Sequence, residues 1–98
     1  MDVFDIILDY YLEPPKKLLD WIPFEKIDWE WLSFNPSAIH LLEANPEKIN
    51  WMQLSQNSSA IPLLEANPEK ICWWRLSGNS SIFEVDVKKF KQIKQSYK

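Results

Sequence analysis

The 98 residues hold one cysteine, one glycine and one histidine, and each scarcity closes off a class of chemistry. Cys72 alone can form no intrachain disulfide, no Cys-based zinc site and no Cys-x-x-Cys redox pair, so a reducing compartment fits best. Gly78 alone cannot build a phosphate-cradling loop. His40 alone leaves a catalytic triad or a metal site without the partners that either needs at defined geometry. No apolar run approaches the roughly 20 residues of a membrane span. The opening Met1-Asp2-Val3-Phe4-Asp5 is acidic where a secretory signal would be basic. No membrane partner and no export are therefore expected, and under that expectation the Asn-Ser-Ser sequons at Asn57 and Asn79 stay unglycosylated. No cofactor and no metal are expected either.

Against these absences stand six Trp, five Phe and three Tyr, enough large apolar surface to support one small core without disulfides. Charge is unevenly spread. Residues 1–86 hold all 14 acidic and 6 of the 11 basic residues, a net −8, while residues 87–98 hold five lysines. An acidic body argues against wrapping nucleic acid, where non-specific affinity comes from neutralising phosphates. Lys88, Lys89, Lys91, Lys94 and Lys98 could touch an anionic partner, but a solvated last helix whose cations complement its C-terminal dipole explains them with less.

Sliding the sequence against itself by 22 positions produces the strongest pattern in the chain. Asn35-Pro-Ser-Ala-Ile-His-Leu-Leu-Glu-Ala-Asn45-Pro-Glu-Lys-Ile49-Asn-Trp51-Met-Gln-Leu54-Ser55 lies over Asn57-Ser-Ser-Ala-Ile-Pro-Leu-Leu-Glu-Ala-Asn67-Pro-Glu-Lys-Ile71-Cys-Trp73-Trp-Arg-Leu76-Ser77. A partial copy, Glu25 to Ser33, precedes these, and a degenerate one begins Asn79-Ser80-Ser81-Ile82 with one residue deleted. Fixed periods of this size mean stacked units, each too small to bury its own face. The expected architecture is all-α: a short-helix solenoid of 22-residue repeats with helical caps at both ends. Its divisions are an N-terminal cap helix and Pro-Pro turn (1–20), a partial repeat (21–34), repeats at 35–56 and 57–78, and a degenerate repeat with a basic C-terminal cap helix (79–98).

In the first full repeat Asn35-Pro36 and Asn45-Pro46, plausible as helix openers, lie ten residues apart, predicting two short helices per repeat. Pro62 would break a helix begun five residues earlier, so the Asn-x-Ser-Ala-Ile turn stands apart and the first helix starts near His40 or Pro62. The predicted inter-repeat core is Ile39, Leu41, Leu42, Ile49, Trp51 and Leu54 with Ile61, Leu63, Leu64, Ile71, Trp73 and Leu76, and a ladder of Trp29, Trp51 and Trp73 runs along it. Asn35, Asn57 and Asn79 are expected to cap turns. Glu43, Glu47 and Lys48, repeated as Glu65, Glu69 and Lys70, read as a solvated charged face, and Cys72 as half-buried beside Trp73.

The unit Asn-Pro-x-Ala-Ile-x-Leu-Leu-Glu-x-Asn-Pro-x-Lys-Ile-x-Trp-x-x-Leu-Ser resembles a short repeat of proteins from large nucleocytoplasmic DNA viruses that infect algae and amoebae. Ser77-Gly78-Asn79-Ser80-Ser81-Ile82-Phe83-Glu84 resembles the way such arrays end. The chain departs from the pattern where Ser58 and Ser80 replace the second proline and Cys72 a polar residue. The resemblance implies a viral protein found in host cytoplasm or in the virion, and it implies no agreed activity.

A non-enzymatic role through protein–protein interaction is therefore expected, as a minor virion structural component or as a soluble adaptor binding host factors, with an enzyme as the alternative from another class. The partner is a protein, viral or host, and homo-oligomers are a further possibility. Where the two repeats differ, Met52, Trp74 and Arg75 are residue types enriched at interfaces, so they are the candidate partner-binding positions. The helix expected around Val3, Phe4, Ile6, Ile7, Tyr10 and Tyr11 has an apolar arc wide enough to add Phe4 and Tyr11 to that set.

Overall fold

The computed structural model describes residues 14–97. The N-terminal cap helix, with its candidate residues Phe4 and Tyr11, lies outside the described residues. Six helices follow in order: α1 (Trp29–Leu32), α2 (Ile39–Ala44), α3 (Trp51–Leu54), α4 (Ile61–Glu65), α5 (Trp73–Leu76) and α6 (Val87–Ser96). Single 3₁₀ turns at Phe24–Lys26, Pro46–Lys48, Pro68–Lys70 and Ser80–Ile82 separate them, and there is no strand among the described residues.

Local chemistry sets these boundaries. The Asn35 Oδ1 accepts from the Ser37 N–H at 2.9 Å and closes a turn that ends before Ile39. Asn57 and Ser59 do the same before Ile61. Pro62 then sits in the first turn of α4, where its missing N–H would have had no helical partner.

Each repeat holds three helical pieces rather than two. The Asn45 side chain opens nothing: its Nδ2 donates backward to the Leu41 carbonyl at 2.9 Å, closing α2, and Asn67 repeats the bond to Leu63. Pro46 starts only one 3₁₀ turn, after which Ile49 is extended (φ −69°, ψ 128°). Helix restarts at Trp51 because the Asn50 Oδ1 accepts from the Gln53 N–H at 3.1 Å. Asp28 caps α1 in the same way, through Glu30 and Trp31. Cys72 holds the same place before α5, and its side chain makes no capping bond.

The core is small and lies along the middle of the two repeats. Leu42, Leu54 and Leu64 are buried with Ala38 and Ala60, and half-buried Trp29, Leu32, Ile39, Ile49, Trp51, Ile61, Leu63, Ile71 and Leu76 pack around them. Trp73 corrects the expected ladder. It is 64 % exposed where Trp29 and Trp51 are half-buried, because no further full repeat follows to cover it. Ala38 and Ala60 were not expected in the core, yet they admit the close approach of neighbouring turns.

The C-terminal helix forms over Val87–Ser96, with the Asp86 Oδ1 accepting from the Lys89 N–H at 3.0 Å. Its apolar residues are exposed rather than packed on the last repeat: Val87, Phe90 and Ile93 are 56, 55 and 45 % exposed. No helix among the described residues is long and apolar enough to cross a membrane.

Candidate functional site

Three sets of contacts link positions about one repeat apart and hold the outward side chains in place. Buried Asn57 donates from Nδ2 to the carbonyls of Ser33 and Asn35, both at 3.0 Å. Buried Asn79 makes the same pair of bonds, to Ser55 at 3.1 Å and Asn57 at 2.9 Å. Each Asn therefore closes its own turn through Oδ1 and ties itself to the previous repeat through Nδ2. An amide suits this double task, since it carries both an acceptor and two donors.

Serine supplies the second set. The Ser33 hydroxyl donates to the Trp29 carbonyl at 2.7 Å and accepts from the Asn50 N–H at 2.9 Å, joining the end of α1 to the start of α3. Ser55 repeats this with Trp51 and the Cys72 N–H. The third set is cationic. Lys48 lies 5.5 Å from the Trp29 ring centre, and Lys70 lies 5.0 Å from that of Trp51. These lysines do more than solvate a charged face, because each covers the indole of the preceding repeat. Among the described residues the one ion pair is Lys17–Asp20, at 3.3 Å, so Glu43, Glu47, Glu65 and Glu69 remain free carboxylates on the surface.

The candidate partner-binding residues sit on α3 and α5, the helices this scaffold fixes. Met52 and Trp74 occupy the second position of each, and they are 50 and 78 % exposed. Arg75 is held in place from two sides. Its Nη1 donates to the Gln56 Oε1 at 3.1 Å, and its guanidinium carbon lies 5.1 Å from the Trp74 ring centre. Its Nε is buried and has no partner among the described residues. Trp74, Arg75 and Gln56 thus form one group, while Met52 is the equivalent position one repeat earlier.

Sequence reasoning missed Trp31, which is 67 % exposed on α1 at the step that Gln53 and Arg75 occupy in the later repeats. A signal for it exists. Two indoles within one four-residue helix, Trp29 and Trp31 or Trp73 and Trp74, cannot both face the same neighbour, so one of each pair must point outward. His40 is exposed on α2. Among the described residues no group of three His, Cys, Asp or Glu is placed to hold a metal ion. No family model matches this chain, and no curated protein or solved structure matches it.

Proposed function

We propose that this chain is a short-helix solenoid of 22-residue repeats that acts without catalysis, by binding another protein through the face that carries Met52, Trp74 and Arg75. The recurrence of one bonding scheme supports the solenoid reading: Asn57 and Asn79 reach back to equivalent carbonyls, and Lys48 and Lys70 to equivalent indoles. The binding reading rests on one observation. Trp74 is 78 % exposed, yet Arg75, stacked beside it and bonded to Gln56, holds the edge of that surface rigid.

An exposed indole beside an ordered guanidinium is what an interface anchor requires, because little side-chain entropy is left to lose on binding. The resemblance to repeats of large nucleocytoplasmic DNA viruses favours a partner among the proteins of such a particle, with a host factor bound by a soluble adaptor as the second reading. A Trp74→Ala/Arg75→Ala double variant should weaken capture of that partner at least about tenfold while leaving the thermal melt within about 2 °C of the parent. A variant that melts much earlier instead assigns the two side chains to the fold, and undiminished capture moves the binding face elsewhere.

A further inference from the structure

Two exposed apolar surfaces at the C-terminal end of the chain answer one another. The first is a groove of about 450 Å³ past the last full repeat, walled by Ile61, Leu64, Ile71, Trp73, Leu76 and Ile82. Its counterpart one repeat earlier holds buried Leu42 and Leu54 and half-buried Trp51, whereas here Leu76 is only half-buried and Trp73 is 64 % exposed. Glu65 and Glu84 stand at its rim. The second surface is α6, whose Val87, Phe90 and Ile93 are all about half exposed. A ten-residue helix is marginal in water unless its apolar side is packed, so α6 needs a surface to lie on.

We propose that α6 of one copy of this chain lies in the groove of a second copy, and that the second returns its own α6 in exchange. Charge favours the fit. The helix carries Lys88, Lys89, Lys91 and Lys94 and the groove carries carboxylates, within a body whose net charge is −8 up to residue 86. The groove also lacks a cation that its predecessors have. Trp29 and Trp51 are each covered by a lysine 19 residues later, whereas among the described residues no cation lies over Trp73. A helix bearing four lysines restores that cover.

The connection decides between a second copy and the chain's own groove. The connection Phe83-Glu84-Val85-Asp86 is only four residues long, and Phe83 (φ −108°, ψ 144°) and Asp86 (φ −83°, ψ 90°) are extended. Phe83 and Glu84 already form part of the groove wall, so α6 could return over it only by a reversal within the next two residues. With Phe83 and Asp86 both extended the chain does not make that reversal, and a short hinge that does not close within one chain promotes exchange between chains.

Light scattering and sedimentation of the full chain test the exchange. The intact protein should be a concentration-dependent dimer, and the helix variant Phe90→Ser/Ile93→Ser should raise its dissociation constant at least about tenfold. Both positions are exposed, so the body of the variant stays folded. Trp73→Ser on the groove side should act alike, and mixing the two variants should restore a one-sided heterodimer from two monomers. Six Gly/Ser residues inserted between Val85 and Asp86 should yield a monomer, because the longer hinge lets α6 reach its own groove. An intact chain that stays monomeric at high micromolar concentration overturns the proposal. So does a helix variant that dimerises like the parent, or an insertion variant whose dimer is undiminished.

Discussion

Trp51 and Trp73 occupy the same step of consecutive repeats, follow the same Pro-Glu-Lys-Ile segment, and open helices of the same length. One is half-buried beneath Lys70; the other is 64 % exposed. Their own repeats do not account for the difference. What differs is the chain that comes next: Asn57 to Lys70 closes over the first repeat, and past Trp73 the sequence runs into a degenerate repeat and an exposed helix. Burial at this step is set by the segment that follows and not by the repeat's own residues.

Matched substitutions at Leu54 and Leu76 give the largest expected effect. Leu54 is fully buried and Leu76 only partly so, although they hold the same register. In dilute solution Leu54→Ala should cost about 3 kcal/mol, through lost transfer energy and a cavity, whereas Leu76→Ala should cost about 1 kcal/mol. Urea denaturation with an unchanged m-value measures both. Equal losses would break the comparison and show that the last repeat is covered in solution.

Much of the local structure was legible because it depends on local chemistry. The separate Asn-x-Ser turn, the start of α2 and α4 within a residue of His40 and Pro62, and the register of the buried leucines follow from capping, proline geometry and apolar spacing. The second role of Asn57 was not legible. Closing its turn uses Oδ1 two residues away, but the bonds from Nδ2 reach 22 and 24 residues back, and only the tertiary fold brings those carbonyls near. The same holds for Lys48 and Lys70, which carry the spacing of a surface charge and the geometry of an indole cover. Trp73 was misread for the converse reason, since its repeat is intact and its cover is missing. At the candidate site, Trp74 and Met52 were identifiable as outward differences between repeats, while the clamp of Arg75 by Gln56 spans 19 residues and needed the structure.

A second matched pair asks how far the two repeats differ in their own chemistry. Asn50 caps α3, and Cys72 in the same place caps nothing. Cys72→Asn should therefore stabilise the chain by about 1 kcal/mol, and Asn50→Ala should cost a similar amount. Thermal melts of the two variants decide it. No gain from Cys72→Asn would mean that the bond from the Cys72 N–H to the Ser55 hydroxyl, 3.0 Å long, already sets the start of α5 unaided.

The smallest effect comes from making Trp51 resemble Trp73. Lys70→Gln removes the cation over the Trp51 ring, leaving that indole without one, as Trp73 is among the described residues. Since Lys70 is exposed, the loss should be about 0.5 kcal/mol, the lower end of what a cation over an indole contributes. Two further substitutions divide that loss between charge and packing. Lys70→Met keeps an apolar stem over the ring without the cation, and Lys70→Arg keeps a cation that stacks at least as well on an aromatic face. If Met behaves like Gln and Arg like the parent in urea denaturation, the charge holds the indole. If Met instead retains parental stability, the aliphatic stem is the cover, and Trp73 is exposed for want of any side chain above it rather than for want of a cation.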